Sequence, residues 1–593
     1  MPRAADARRG GHGTARERCA PPGTAVARVA ARRGRPSRVV ALVVAFALAL
    51  TACSSAEAPP EEPPEPAEVA PQQPLPSDAN ESANTAEAAD EAAEASDPPP
   101  PPEEPEEPPL PEGRAELVAR IQQLVDDAAR VADDAQLAVL VTDRHGREIA
   151  AHRADEAVLP ASTLKVVTAA ALLMTVGSQG TLKTLVETTA PISGDGRLRG
   201  DLVLIGGGDP ALATDEYARW IYPARPRTPL SALADDLVAQ GLTHLDGDVI
   251  GVAPGFTGPT RAEGWPDRYF SSFDARYASG LTVDAGLETI LTYPEPEEDE
   301  ESSEEGEEAE EGEEEAPDET DGEEGGEPEQ EAPTADPEDL GPPDVRVDHV
   351  RDPAAHAAAE LVRLLEERDV PVLGEGRSGE VEVPLVGRLA TVESPPMEEL
   401  LRFAVQRSDN QLTDGLFQSI GRIRTGEGSW ERGDRALRQV LDRFDIDHTQ
   451  AVFADGSGLS RDDRVTARLL VDLDRQMTDG PQSETWQSLM AVMGESGTLR
   501  ERLRGTVASG RFLGKTGTLR DVTALSGAVV GDDGERYHLA VIANEADGPG
   551  RWVARQLMDE LVLQLSAEVQ GCDVTPGERE EELSTLPRST ITC

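Results

Sequence analysis

The apolar positions change texture along the chain. From Gly113 the stretch GRAELVARIQQLVDDAARVA places Leu117, Ile121 and Leu124 three and four residues apart, which predicts an amphipathic helix. QLAVLVTDRHGREIAAHR then reads as two strands turning at RHG. Between Val166 and Met174 almost no position is polar, so a helix there is buried on every side. Beyond about residue 180 the runs shorten to β-like segments, LKTLVETTA and GDLVLIGGGDPAL, separated by a turn at SGDG. Helical spacing returns in AAHAAAELVRLLEERDV, MEELLRFAVQ and TARLLVDLDRQM. Residues 522–544 read as two strands joined at GDDG, and RWVARQLMDELVLQL puts Val553, Leu557, Leu561 and Leu565 on one helix face. The expected class is α/β (α+β): helices flanking an antiparallel sheet, interrupted by a β-rich insertion.

Composition then removes long stretches from the folded part. With 593 residues of which 38% are hydrophobic and 3% aromatic, a good part of the chain builds no core. Residues 54–112 carry 17 acidic residues and no basic one, and residues 295–339 carry 26 and none, within a net charge of -58. The first is Pro, Glu and Ala with hardly any large apolar side chain, hence an extended, self-repelling linker. The second, within 294–343, reads as a solvated loop rather than a cation or partner site. The remainder is moderately acidic without a basic stripe, which argues against a nucleic-acid partner.

At the N-terminus Arg32, Arg33, Arg35 and Arg38 precede the apolar run VVALVVAFALAL and then TAC, the layout of a secretory signal and too brief a run to span a bilayer as a helix. Leu50-Thr51-Ala52-Cys53 resembles a bacterial lipobox, which implies cleavage before Cys53, lipid on that residue, and a membrane-anchored protein of the cell envelope or periplasm. The alternative is an ordinary cleaved signal. Cys19 leaves with the signal, so Cys572 and Cys593 remain, read in an oxidising compartment as a disulfide closing the tail or else as two free thiols. The expected organisation is a signal peptide over 1–52, a lipidated linker over 53–112, a first domain part over 113–180, an insertion over 181–385, a second part over 386–570 and a tail over 571–593.

The buried run also supplies chemistry. In LPASTLKVV, Ser162 and Lys165 stand three residues apart, neighbours on one helix face just after Pro160. A lysine among apolar side chains is desolvated, which favours its neutral form and makes it a candidate base for the serine hydroxyl. A lysine whose head reaches solvent from the helix end is the bland alternative. Ser408-Asp409-Asn410 offers a hydroxyl and an amide between helical segments, and Lys515-Thr516-Gly517-Thr518 opens a strand-like run in which a glycine admits a close backbone. The eight His fall in no metal-ligand spacing, and neither His-Glu-X-X-His nor Gly-X-Ser-X-Gly occurs, so no metal or other cofactor is implied. GGGDP lacks the third glycine of a dinucleotide loop and reads as a turn, and Asp455 and Ser457 in DGSGL read as a Gly-rich turn supporting the site.

Together, Ser162-X-X-Lys165, Ser408-Asp409-Asn410 and Lys515-Thr516-Gly517 resemble the motif set of penicillin-binding serine D-Ala-D-Ala peptidases. The 246 residues between Ser162 and Ser408 are similar to the wide gap of the class C low-molecular-mass penicillin-binding proteins, carboxypeptidase/endopeptidases of β-lactamase/transpeptidase-like fold. GRLRGDLVLIGGGDPAL, EGWPDRYF and FADGSGLSRDDRVTA also resemble segments of that family. The chain departs from it at LTVDAG, at Asp414 where the family has Glu, and at MGESGTLRERL. The resemblance implies that Ser162 attacks the carbonyl between two D-alanines of a peptidoglycan stem peptide while Lys165 takes its proton. It further implies that Ser408, with Lys515, passes a proton to the leaving amine, and that Asn410 holds the substrate amide. The N–H groups of Ser162 and Thr518 would form the oxyanion hole, and Lys515, Thr516 and Thr518 would hold the terminal carboxylate beside Gly517. β-Lactams are the implied covalent inhibitors. An idle peptidoglycan-binding or partner-binding envelope protein and a β-lactamase are the competing expectations.

Overall fold

The computed structural model describes residues 114–133, 135–294, 342–546, 548–577 and 585–593. The signal, Cys53, the acidic linker and residues 295–341 lie outside the described residues. Those described all belong to one unit, Glu104–Cys593.

The strands of the main sheet, in chain order, are β1 (Gln136–Asp143), β2 (Glu148–His152), β3 (Ala491–Val492), β4 (Phe512–Leu519), β5 (Val522–Val530) and β6 (Arg536–Asn544). Their spatial order is β3-β4-β5-β6-β1-β2 and every neighbouring pair is antiparallel. The two-residue period of a strand sorts its side chains between two cores. Ala138 and Leu140 of β1, Val522 and Ala524 of β5, and Ala540 and Ile542 of β6 face one core. Leu137 and Val139, Leu525 and Val529, and Leu539 and Val541 face the other. Both faces are covered, so these strands read as almost continuous apolar runs.

The helices are α1 (Arg114–Val131), α2 (Lys165–Val176), α3 (Met397–Arg407), α4 (Asn410–Thr425), α5 (Trp430–Arg443), α6 (Ala467–Asp479) and α7 (Gly548–Glu568). Leu117, Ile121 and Leu124 of α1 join Val553, Leu557, Leu561 and Leu565 of α7 in one core, the faces their spacing predicts. On the other side α2 is enclosed, with every residue from Lys165 to Leu173 buried, and Gly177, at φ 79°, ends it. The RHG turn closes with the Gly146 amide donating to the Asp143 carbonyl at 3.0 Å, Gly146 lying at φ 81°.

Between α2 and α3 the chain builds a separate five-stranded sheet. Lys183–Thr188 pairs antiparallel with Leu202–Ile205 and with Gly387–Glu393, while Val249–Val252 runs parallel to Leu202–Ile205 and to Gly376–Ser378. Helices Ser231–Ala239 and Pro353–Glu366 supply its own core through Leu233, Leu237, Leu361 and Leu365. The segments on either side of the acidic tract pair as a ribbon, Leu287–Thr292 against Asp344–His349.

Candidate active site

Ser162 lies on a short 3₁₀ turn, Ala161–Leu164, which runs directly into α2. The side chain of Asn544, at the end of β6, clamps the backbone just ahead of this turn. It accepts from the Leu159 amide at 2.6 Å and donates to the Leu159 carbonyl at 2.9 Å. One helical turn on, the Lys165 ammonium donates to Ser162 Oγ at 3.1 Å, to Asn410 Oδ1 at 2.7 Å and to the Ser457 carbonyl at 2.7 Å. Those bonds use all the hydrogens an ammonium has. Lys165 is only 1% exposed. Burial pushes its pKa down to about 8, against the opposing charges of Asp414, Asp455, Asp409 and Asp463.

The second triplet turns a corner. Ser408, at φ 60° and ψ 39°, ends α3 in the left-handed region, and Asp409 caps α4 by accepting from the Leu412 amide at 2.9 Å. The reversal aims Ser408 Oγ at Lys515 and Asn410 at Lys165. Lys515 Nζ donates to Ser408 Oγ at 3.0 Å and to the Thr516 carbonyl at 2.8 Å. Lys515 is fully buried, and burial first, then the charge of Lys165, pushes its pKa well below the usual lysine range.

Lys515 to Thr518 lie on β4, and β3 pairs only with Leu513 and Gly514 of that strand. The rest of its edge borders a cleft of about 580 Å³ lined by Ser162, Ser408, Thr516, Thr518, Trp552 and Arg555. Gly517 has a packing reason: a Cβ there would stand 2.8 Å from the Pro160 carbonyl, so the bare Cα lets β4 lie against the serine's turn. A serine and a desolvated amine, with a second serine and a second amine opposite and a strand edge alongside, are equipped for acyl transfer from a peptide to the serine.

The pattern of the D-Ala-D-Ala carboxypeptidase 3 (S13) family matches residues 117–566. The chain belongs to this family. A D-alanyl-D-alanine carboxypeptidase of Actinomadura sp. is 29% identical over 496 residues, covering 78% of this chain and 87% of that one. A carboxypeptidase of Mycobacterium tuberculosis is 27% identical over 444 residues, covering 73% and 80%. In fold the chain is similar to penicillin binding protein 4 of Haemophilus influenzae, with a TM-score of 0.56 at 21% identity over 74% of this chain and 99% of that one. The expected enzyme class, serine-type D-Ala-D-Ala carboxypeptidase, and the β-lactamase/transpeptidase-like fold therefore hold.

Behind the three motifs this S13 site has a rear wall, built on the Gly-rich turn that the sequence reads as a support of the site. The Gly-rich turn after Asp455 brings the Ser457 carbonyl onto Lys165, and Asp455, fully buried, holds the turn in place. Its carboxylate accepts from the amides of Ser457 at 2.9 Å, Gly458 at 2.6 Å and Ser460 at 2.7 Å, and from the Trp265 indole at 2.7 Å. Asp414 accepts from the Gly456 amide at 3.0 Å, and Asp463 from the Ala454 amide at 2.8 Å. Burial, with the charge of Asp455 second, raises both Asp414 and Asp463 well above the usual carboxylate range. Gly458, at φ 82°, has no room for a side chain, since a Cβ would lie 1.9 Å from the Ala161 carbonyl. The insertion reaches the site as well, for Asn410 Nδ2 donates to the Asp274 carbonyl at 3.1 Å. Two segments that depart from the family pattern have defined places. Thr498 bonds Thr516 between hydroxyls at 2.8 Å, and Asp284, pushed up to about 7 by burial, accepts from the Thr214 amide at 2.7 Å. Far from the cleft, Cys572 and Cys593 form a disulfide.

Proposed function

We propose that Ser162 is the acyl-accepting nucleophile of a D-Ala-D-Ala carboxypeptidase/endopeptidase that acts on peptidoglycan stem peptides and is acylated by β-lactams. The observation that carries this is the Lys165 amine, buried and 3.1 Å from Ser162 Oγ. Once neutral, Lys165 has only two hydrogens to give. Asn410 Oδ1 and the Ser457 carbonyl, both at 2.7 Å, are the better acceptors, so the lone pair turns to the Ser162 hydroxyl and takes its proton. Ser162 Oγ then bonds to the carbonyl carbon between the two D-alanines, with the oxyanion on the N–H groups of Ser162 and Thr518. As the C–N bond breaks, the proton that Lys165 took from Ser162 passes to the leaving amine through Ser408, whose hydroxyl is held by Lys515, and Lys165 is neutral again to accept a proton from the incoming water. A water hydrolyses the ester, releasing the shortened peptide and free Ser162.

Lys515, Thr516 and Thr518 would hold the substrate carboxylate. Burial, and then the charge of Lys165, hold the pKa of Lys515 well below the usual lysine range, and an arriving carboxylate would favour its charged form and bind as an ion pair. Asn410 would hold the acyl-side amide, and the peptide would add to the edge of β4 beside Gly517. The organisation proposed is the expected transpeptidase-like domain split by an insertion from 181, with a tail over 571–593; the boundary expected at 385 moves to Glu393, because Gly387–Glu393 pairs into the inserted sheet. It would hang from a lipid on Cys53 through the acidic linker in the cell envelope, after removal of residues 1–52; the apolar run before Leu50-Thr51-Ala52-Cys53 supports this.

The test is labelling of the purified chain with a fluorescent penicillin, followed by mass-spectrometric location of the adduct. An adduct on Ser162 that disappears in Ser162→Ala is expected; labelling that survives the substitution, or no labelling, overturns the reading.

A further inference from the structure

A separate cleft of about 290 Å³ lies between the insertion and α4 and shares no lining residue with the active-site cleft. Its walls come from residues 253–260, 278–280 and 351–354, the last at the start of helix Pro353–Glu366. From the middle of α4 it is met by Gln418. Gln418 is only 4% exposed, yet among the described residues its side-chain amide has no hydrogen-bond partner. Its oxygen and nitrogen are not sealed inside the protein, so they open on the cleft. Most other polar groups there are occupied. Asp352 accepts from the Ala355 amide at 3.0 Å and from the Ser378 hydroxyl at 2.6 Å, and Thr257 donates to Glu427 at 2.5 Å. The walls are preformed. The Phe256 ring is wedged among three glycines, since a Cβ at Gly208, Gly280 or Gly428 would lie 2.5, 2.1 or 2.5 Å from it. The Ala278 amide donates to the Thr260 carbonyl at 2.8 Å and ties two of the walls together.

A buried amide without a protein partner is costly unless something else in the cleft completes its bonds. A primary amide has two donor hydrogens and an acceptor oxygen, so a secondary amide, with one carbonyl and one N–H, complements it. The walls around it are small and apolar, with Ala253, Pro259, Ala278 and Ala354, and they suit a methyl group. The one cation, Arg351 at the exposed rim, stands beside the carboxylate of Asp352, so the cleft suits a ligand without net charge. An acetamido group joins a methyl, a carbonyl and an N–H, and the hydroxyls of Thr260 and Ser279 at the rim suit the hydroxyls of a sugar. Peptidoglycan carries such sugars beside every stem. Asn410 and Gln418 stand eight residues apart on α4, about 12 Å along its axis, and an extended pentapeptide spans up to about 17 Å. We infer that this cleft binds the acetamido group of an N-acetylated amino sugar, paired with the Gln418 amide, and so holds a glycan strand while Ser162 works on one of its stems. The inference rests on the acyl-transfer reading above for its substrate and adds a carbohydrate site outside the reaction cleft.

The experiment titrates the full chain, with Ser162 acylated by penicillin so that the reaction cleft is filled, with tri-N-acetylchitotriose and follows saturation transfer by NMR. A Kd on the order of 1 mM is expected, with the strongest transfer to the acetyl methyl protons. Cellotriose, which has a hydroxyl in place of each acetamido group, should bind roughly 10-fold or more weakly, and Gln418→Met, which keeps the bulk and removes the amide, should weaken the acetylated sugar by a similar factor. A trisaccharide with a diazirine in place of an acetyl methyl should cross-link within residues 253–260, 278–280 or 351–354, located by mass spectrometry, which tests the site even where Gln418→Met does not fold. No binding at roughly 10 mM, equal binding of cellotriose, binding that survives Gln418→Met in a folded chain, or cross-links elsewhere overturns the site. Failure of the parent chain to acylate at Ser162 would overturn the reaction instead, and the same titration on the unacylated chain would still decide the sugar site.

Discussion

At the residue scale, the two buried lysines differ in what surrounds them. Lys165 has carboxylates behind it, which partly restore its charge against burial, whereas Lys515 has Lys165 as its charged neighbour. The folded pKa of Lys165, about 8, lies below the usual 10.5, so its neutral, proton-accepting form grows as pH rises through 8. Penicillin acylation of Ser162 is therefore expected to climb with pH, approaching roughly tenfold per unit below about pH 7, and to level off above 8. A stopped-flow profile that is flat from pH 6 to 9 would remove Lys165 as the base. The hydroxyl and amine were legible because both come from one short motif with an apolar run behind it. The Gly-rich turn of Asp455 and Ser457 was legible as a support of the site, but the Asp274 carbonyl, 136 residues from Asn410, was not. It is a main-chain acceptor, which any residue type supplies, so it leaves no mark in the sequence.

At the scale of elements, the long apolar run of α2 and the faces of α1 and α7 followed directly from spacing, as did the β5 and β6 pair around its turn. The mixed sheet of the insertion did not. Its outer strand Gly387–Glu393 pairs with Lys183–Thr188 across the whole insertion, and pairing over such a distance has no local signature. The close approach of the Gly-rich turn to the serine's turn predicts that Gly458→Ala destabilises the fold by roughly 3 kcal/mol, through its positive φ and the clash with Ala161. It should also slow acylation, because a displacement of about 1 Å at a nucleophile can cost on the order of 10²-fold. Unchanged thermal stability in this variant would contradict the packing described. At the other end, Cys572 and Cys593 close a 21-residue separation, and Leu586 within that segment is buried against α7. Replacing both cysteines by Ser is expected to lower stability by about 3 kcal/mol, read by chemical denaturation, with the rate of penicillin acylation in native buffer preserved.

At the scale of the molecule, the acidic tract leaves from one strand of a closed ribbon and returns on the other, with Thr292 opposite Asp344. Replacing residues 294–342 by a two-residue Asn-Gly turn should therefore keep the ribbon, and leave both the melting temperature and acylation close to those of the parent. A large loss of either would give the tract a structural part. The insertion meets the chemistry through the Asn410 side chain, with one arm on the Asp274 carbonyl and the other on Lys165. Because the first contact is to the main chain, it senses position and is indifferent to which residue stands at 274. A shift of the main chain at Asp274 would tug on the amide and slacken its grip on Lys165. The side chain at 274 can thus change while its carbonyl still braces the amide that Lys165 also touches.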